Sequence, residues 1–246
     1  MTDQPATPDL PSQPPIPVPP PTPGNDFEPI ESPLTLVTTF ETLLKKPGRM
    51  ARHLQDHSPS SLLLHLFVTT LICLTVFGFA AGSFSGGNQF WATPAKLIFG
   101  MFAAGLLCLP SLYIFSCLNG LDTRFRATAG TLFGILCLTS LLLLGFTPVI
   151  WIFSQSTESV FFMGALLLFF WLIAVHFGMG LLMKGASYLG IQRRGHLVIW
   201  GLIFVLVCLQ MSTTLRPLIG ESNEFLTMEK RFFLSHWLEE FRDLVD

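Results

Sequence analysis

Charged residues are scarce in this 246-residue chain: only 12% are Asp, Glu, Lys or Arg, while 50% are hydrophobic. Soluble domains usually carry about 25% charged residues, so the composition disfavours an ordinary soluble protein. The formal net charge is −2, which excludes a strong overall field that would recruit nucleic acid. Basic patches interleaved with aromatic residues are also missing from the sequence. We therefore expect no nucleic-acid partner.

Sequence signatures of catalysis and metal binding are missing as well. The chain contains no G-x-S-x-G, H-E-x-x-H or Walker sequence, and no G-x-G-x-x-G ahead of a soluble helix. Five cysteines fall in apolar runs, without a C-x-x-C pair or a histidine at ligand spacing: Cys73, Cys108, Cys117, Cys137 and Cys208. Buried thiols are the simplest interpretation, because cysteine packs as a small hydrophobe. We predict a protein that is not an enzyme and that binds no cofactor and no metal ion.

Hydrophobic residues are instead collected into five long runs. About 20 apolar residues in a helix rise about 30 Å, which matches the hydrocarbon core of a bilayer. Backbone groups in lipid must be paired, and these runs lack the alternation of barrel strands, so helices are favoured. The predicted spans are Leu62–Ser83, Lys96–Leu118, Thr128–Phe153, Val160–Met183 and Leu197–Leu215. This predicts an all-α membrane protein in which residues 62–215 form a five-helix transmembrane bundle.

Basic residues lie on alternate sides of these spans. They precede the first span and occupy the second and fourth loops: Lys45, Lys46, Arg49, Arg52, Arg124, Arg126, Lys184, Arg193 and Arg194. The other side has Lys96 in the first loop and no cation in 154–159. Because positive residues stay in the cytoplasm, this predicts a cytoplasmic N-terminus and an external C-terminus. We expect a multi-pass protein of a plasma membrane or a bacterial inner membrane.

The N-terminal segment 1–31 holds eleven of the eighteen prolines and almost no apolar mass. This composition predicts a disordered cytoplasmic tail with polyproline II character. A solvated tail and a P-x-x-P ligand both remain open. Ser32-Pro33 then resembles a helix start, and Leu34–Lys46 has apolar residues near helical spacing up to Pro47-Gly48. Residues 32–57 are therefore predicted to form a juxtamembrane amphipathic helix with a basic segment that suits an anionic leaflet.

The C-terminal segment 221–246 contains a second amphipathic pattern. Over Phe225–Val245 the apolar residues form one stripe and mixed charges occupy the rest, which predicts an amphipathic helix. It would lie in the membrane interface or dock on a protein partner, and both interpretations stay open.

A few polar residues within the spans are candidate functional groups. His176 lies inside the fourth span, and Gln210 and Arg216 lie at the end of the fifth. They are expected to line a polar path or to anchor their helices. Pro110 and Pro148 interrupt the second and third spans and predict helix kinks, with nearby hydroxyls satisfying the loosened backbone.

Small residues recur at a spacing that suits close helix packing. Gly78, Gly82 and Gly86 form overlapping G-x-x-x-G pairs, and Gly130 and Gly134 form another. Such pairs let helix backbones approach closely. They fit both a compact bundle and a homo-oligomer.

The tail up to Glu31, the Leu34–Lys46 segment and the five spans to Leu215 together resemble the Yip-type membrane proteins. That resemblance is one of architecture and implies a polar, proline-rich cytoplasmic N-terminus ahead of five closely spaced helices. Eukaryotic members bind small GTPases and act in vesicle traffic. The amphipathic segment Phe225–Val245 departs from the usual short C-terminus of the family, and no functional residue is carried over.

The two terminal segments of the chain are suited to interaction, and no Asp or Glu lies in the interior of any predicted span. These features favour a non-enzymatic scaffold or adaptor of a membrane-associated complex. Protein partners would bind the N-terminal tail or the C-terminal helix, and the bilayer would contain the spans. The alternative is a small-solute transporter or channel subunit. It would use the kinks at Pro110 and Pro148, with His176 and Gln210 along its path.

Overall fold

A computed structural model describes residues 35–56, 60–87, 89–118, 124–190 and 195–214. The predicted tail over 1–31, Arg216 and the predicted helix over 221–246 lie outside these residues. Seven helices occupy the described ranges: α1 Leu36–Lys45, α2 Pro47–Asp56, α3 Ser60–Gly82, α4 Gln89–Leu118, α5 Phe125–Ser156, α6 Val160–Tyr188 and α7 Gly195–Thr214. The prediction of an all-α fold is confirmed.

The last five helices, α3 to α7, are long and apolar enough to cross a membrane. Each corresponds to one predicted span, and α4 to α6 extend beyond the predicted bounds. Large apolar side chains remain exposed on the outside of the bundle, among them Phe99, Leu106 and Leu202. Such a surface is unfavourable in water and suits lipid chains. These helices make the chain a polytopic membrane protein.

The α5 helix occupies the middle of the bundle. Half of its most apolar 18-residue window is buried, compared with 17% for α6. It packs against α3 and α6, while α4 packs against α3 and α7. One bundle end holds α2, the first turns of α3, α5 and α7, and the last turns of α4 and α6; we call it the α2 end. At the opposite end, the Ser83 and Ser154 hydroxyls lie 2.9 Å apart and join the turn after α3 to α5.

Glycines create the close approaches within this bundle. A Cβ atom on Gly78 would lie 2.5 Å from the Cα atom of Pro94, so α3 and α4 touch backbone to backbone there. A Cβ on Gly134 would lie 2.7 Å from a methyl group of Leu181. These contacts confirm helix packing as a role for two of the predicted small residues. Gly86 instead has a φ of 64°, in the turn before α4, where glycine suits the left-handed backbone.

The α1 helix begins at Leu36, because a capping box fixes its start at Thr35. The Thr35 side chain accepts from the Thr38 amide at 3.3 Å, and the Thr38 hydroxyl accepts from the Thr35 amide at 2.7 Å. These two bonds satisfy backbone donors that a helix start leaves unpaired. The expected segment Leu34–Lys46 is therefore helical from Leu36 to Lys45, and the N-cap of this helix is Thr35 and not the predicted Ser32.

The α2 helix corrects the sequence prediction, which has a helix end at Pro47-Gly48 followed by a basic segment. Proline is favoured at the first helical position, where its missing N–H costs nothing, and Pro47 starts α2 there. The buried face carries Met50, Ala51 and Leu54, and a helical spacing of three and four residues joins them. This apolar stripe is short and lies among polar residues, so the sequence gives no clear amphipathic pattern there.

Candidate functional site

The predicted path residues do not meet within the part of the bundle that the structure describes. His176 is exposed on the outside of α6, where its ring is nearly perpendicular to the ring of Phe177, with centres 5.8 Å apart. Gln210 is half-buried near the end of α7, and α6 packs on α5 and α2 far more than on α7. Whether these residues serve transport or anchoring stays a prediction.

Both predicted proline positions lie inside continuous helices, and both prolines are exposed. The Ser111 hydroxyl donates to the Cys108 carbonyl at 2.8 Å, and the Thr147 hydroxyl donates to the Leu143 carbonyl at 3.2 Å. Each hydroxyl thus binds a carbonyl in the turn before its proline. The carbonyls that lose their backbone donor are those four residues before each proline, of Leu106 and Leu144, and these hydroxyl bonds go to carbonyls nearby.

Pro110 also marks the contact between α4 and α7. The fully buried Trp200 donates from its indole Nε1 to the Cys108 carbonyl at 3.2 Å and to the Ser111 Oγ at 3.1 Å. Its ring stacks on Phe204, with ring centres 5.4 Å apart. This polar contact in an apolar setting fixes the register of α7 against α4. Sequence reasoning missed Trp200, because an isolated tryptophan in an apolar run gives no signal of its partner.

Several hydroxyls in the bundle interior bind their own helix backbone. The Thr70 hydroxyl donates to the Leu66 carbonyl at 2.7 Å, and the Ser140 hydroxyl donates to the Cys137 carbonyl at 2.8 Å. Two further buried hydroxyls do the same: Thr131 and Ser154. A side chain that binds its own helix leaves little polar lining for a solute path.

Lys96 lies within α4 and is only 1% exposed. The sequence assigns it to the first loop, but α4 already begins at Gln89, so Lys96 lies inside the bundle. A lysine inside a membrane span is costly and needs polar surroundings. It lies near the bundle end opposite α2, close in chain position to the buried Thr93.

The α2 helix docks on the α2 end of the bundle through polar groups as well as apolar ones. The Gln55 Nε2 donates to the Thr131 Oγ1 on α5 at 3.1 Å. The Tyr188 hydroxyl on α6 donates to the Asp56 carboxylate at 3.0 Å, and Arg52 also binds that carboxylate at 3.2 Å. This hydrogen bond raises the pKa of Arg52, which stays charged. Arg52 also lies 5.8 Å from the centre of the Tyr188 ring.

Apolar contact places α2 well inside the bundle. A Cβ on Gly134 would lie 3.2 Å from a methyl group of Leu54, so α2 reaches that glycine. Gly134 lies about 13 Å along α5 from its first residue at 1.5 Å per residue. A largely polar helix thus fills the space between the ends of α5 and α6.

A small cavity lies where α2 meets the bundle; we call it the junction cavity. It offers about 20 Å³ to the centre of a water molecule. Its lining comes from α2, the four helices α4 to α7 and the turn after α6: Gln55, Leu112, Ser116, Thr128, Thr131, Leu182, Ala186, Leu189 and Leu197. None of these lining residues is charged.

The α1 helix presents an apolar face away from the bundle. Its Thr39 and Leu43 are fully buried, whereas Val37 is 73% exposed, Phe40 40% and Leu44 41%. Beside this apolar face, the Lys45 Nζ donates to the Glu41 Oε1 at 2.6 Å. The hydrogen bond from Lys45 lowers the pKa of the exposed Glu41 carboxyl.

In the described part of the chain, no group of three or more His, Cys, Asp or Glu side chains is placed to hold a metal ion. The class that the fold defines is a polytopic membrane protein with five helices of membrane-spanning length. No protein-family model, curated protein or solved structure matches the chain.

Proposed function

We propose that the chain is a non-enzymatic scaffold or adaptor of a membrane-associated complex, with its N-terminus in the cytoplasm. The observation that carries the proposal is that several interior hydroxyls bind their own helix backbone, as Thr70 and Ser140 do. Hydroxyls that are committed in this way suit a structural role better than solute passage.

The features suited to interaction lie at the ends of the chain and on α1. The sequence of 1–31 has the composition of an exposed proline-rich tail, and that of 221–246 has an amphipathic pattern. The layout of a polar tail, a short amphipathic helix and five spans is also the one shared with Yip-type proteins. Eukaryotic members of that family bind partner proteins, which supports the same role here.

The orientation rests on the charges of the α2 end. Exposed or half-buried cations there include Lys46, Arg124, Arg126 and Lys184, whereas the loop between α5 and α6 contains Glu158. By the positive-inside rule, the α2 end would face the cytoplasm. In a variant without the exposed Cys117, single cysteines are introduced at positions 158 and 46. A membrane-impermeant maleimide added to intact cells should then label the cysteine at position 158 but not the one at position 46. The opposite labelling would reverse the orientation.

Crosslinking in the native membrane, followed by purification and mass spectrometry, tests the scaffold role. We expect truncation of 1–31 or of 221–246 to remove specific partners while the bundle still purifies as a folded protein. Two double variants of the full chain test the C-terminal segment further. Trp237→Ser with Phe241→Ser removes apolar side chains and should remove the partners. Glu239→Gln with Glu240→Gln changes only charge and should keep them. Identical partners in both truncations would contradict the proposal. Solute flux in liposomes that fails in His176→Ala or Gln210→Ala would replace it with transport.

A further inference from the structure

The polar side of the junction cavity is formed by α2, α4 and α5. Gln55, Ser116, Thr128 and Thr131 contribute hydroxyl and amide groups, and leucines such as Leu182 close the apolar side. Ser116, Thr128 and Thr131 are all more than nine-tenths buried. Polar groups of three helices therefore converge on one small space.

The size of the junction cavity limits what it can bind. A single water requires about 10–15 Å³ of space for its centre, and the cavity offers about 20 Å³. One water fits, whereas an organic solute does not. An ion is disfavoured, because a buried charge needs a compensating charge and the lining residues carry none.

The Thr128 hydroxyl in this lining lacks a hydrogen-bond partner among the described residues. Thr128 is 4% exposed. A buried hydroxyl left in this state is destabilising by about 1–3 kcal/mol. Thr131 differs, because it donates to the Ala127 carbonyl at 3.0 Å and accepts from Gln55.

We propose that the junction cavity binds one ordered water molecule, which hydrogen-bonds to Thr128 Oγ1 and bridges it to Ser116 on α4 and Gln55 on α2. A water makes about three hydrogen bonds in such sites, and these side chains supply that number. The water would join the polar α2 helix to the transmembrane bundle, so its loss would weaken the docking of α2.

The test uses the full chain in detergent or nanodiscs, with Thr128→Val as the principal variant. Valine keeps the shape of threonine but removes the hydroxyl. If a water is bound, valine leaves it with one partner fewer, and the thermal midpoint Tm falls. If the cavity is dry, valine removes an unsatisfied hydroxyl, and Tm rises.

Direct observation of the water completes the test. A structure at a resolution that shows ordered waters should contain one peak between Thr128 and Ser116, retained in Thr128→Ser and lost in Thr128→Val. Radiolytic hydroxyl labelling of the adjacent Leu182 should be lost with it. A dry cavity in the unmodified chain, or a Tm that rises in Thr128→Val, would overturn the proposal. Should the valine variant not fold, the peak in the unmodified chain and in Thr128→Ser still decides the question.

Discussion

The indole of Trp200 on α7 donates a hydrogen bond to the backbone carbonyl of Cys108 on α4, over 3.2 Å. That carbonyl lies two residues before Pro110, and the Ser111 hydroxyl binds both it and the indole. The contact therefore joins two helices at the point where a proline loosens one of them.

Trp200→Phe removes the indole donor and retains an aromatic ring. We expect the free energy of unfolding in detergent to fall by about 1 kcal/mol, as for other hydrogen bonds between membrane helices, with a further loss from the smaller ring. Thermal unfolding measures the change. Trp151→Phe is the matched control, because Trp151 is 56% exposed on α5. Equal effects of the two substitutions would contradict a specific role for Trp200.

Gly178 on α6 meets α5 at a contact with no space for a side chain. A Cβ atom there would collide with the Thr139 hydroxyl and lie 3.1 Å from the Ile135 carbonyl oxygen. Gly178→Ala should therefore destabilise the fold by about 1–3 kcal/mol through overpacking. Gly180→Ala, two residues later, meets nothing within 4 Å and should leave Tm unchanged or raise it. A stabilising Gly178→Ala would show that α5 and α6 lie further apart.

The sequence predicted the five spans well, because long apolar runs are governed by the solvent and not by detailed packing. It could not predict α2, because the apolar stripe of Met50, Ala51 and Leu54 is too short to give a clear helical pattern among polar residues. It also could not place Lys96 inside the bundle, since the start of α4 depends on the turn at Gly86. Contacts such as Trp200 with Cys108 join residues far apart in the chain, and no local pattern records them.

Tyr188→Phe removes only the hydroxyl that joins α6 to Asp56 on α2. We expect local opening of α2 to become about fivefold more frequent, the equivalent of about 1 kcal/mol. Limited trypsin cleavage at Arg49 and Arg52 measures this opening, provided that reclosing is fast relative to cleavage. Ser187→Ala is the control, because the Ser187 hydroxyl donates to the Met183 carbonyl within α6. Unchanged cleavage in Tyr188→Phe would show that apolar contacts alone hold α2.

The pair of Glu41 and Lys45 makes a prediction about pH. Lys45 lowers the pKa of Glu41, so the pair stabilises α1 at pH values above the ordinary pKa of a glutamate. That support is lost as the pH falls through the lowered pKa. Carbon-detected NMR titration of the Glu41 carboxyl should show its midpoint move upward in Lys45→Met. Lys46→Met should leave it in place, and a shift of equal size in both variants would point to general charge instead of the pair.

The exposed apolar face of α1 predicts where that helix lies. Val37 and Phe40 would be unfavourable in water, so we expect them to face acyl chains in the leaflet beside the α2 end, as an interfacial helix does. A nitroxide at position 37, in a chain with the exposed Cys117 replaced, should be relaxed more by oxygen than by a polar nickel chelate in liposomes. A nitroxide at Lys46, which is exposed at the helix end, should show the reverse. If the chelate relaxes position 37 as strongly as position 46, this face is in water, and a protein partner becomes the better explanation of its apolar side chains.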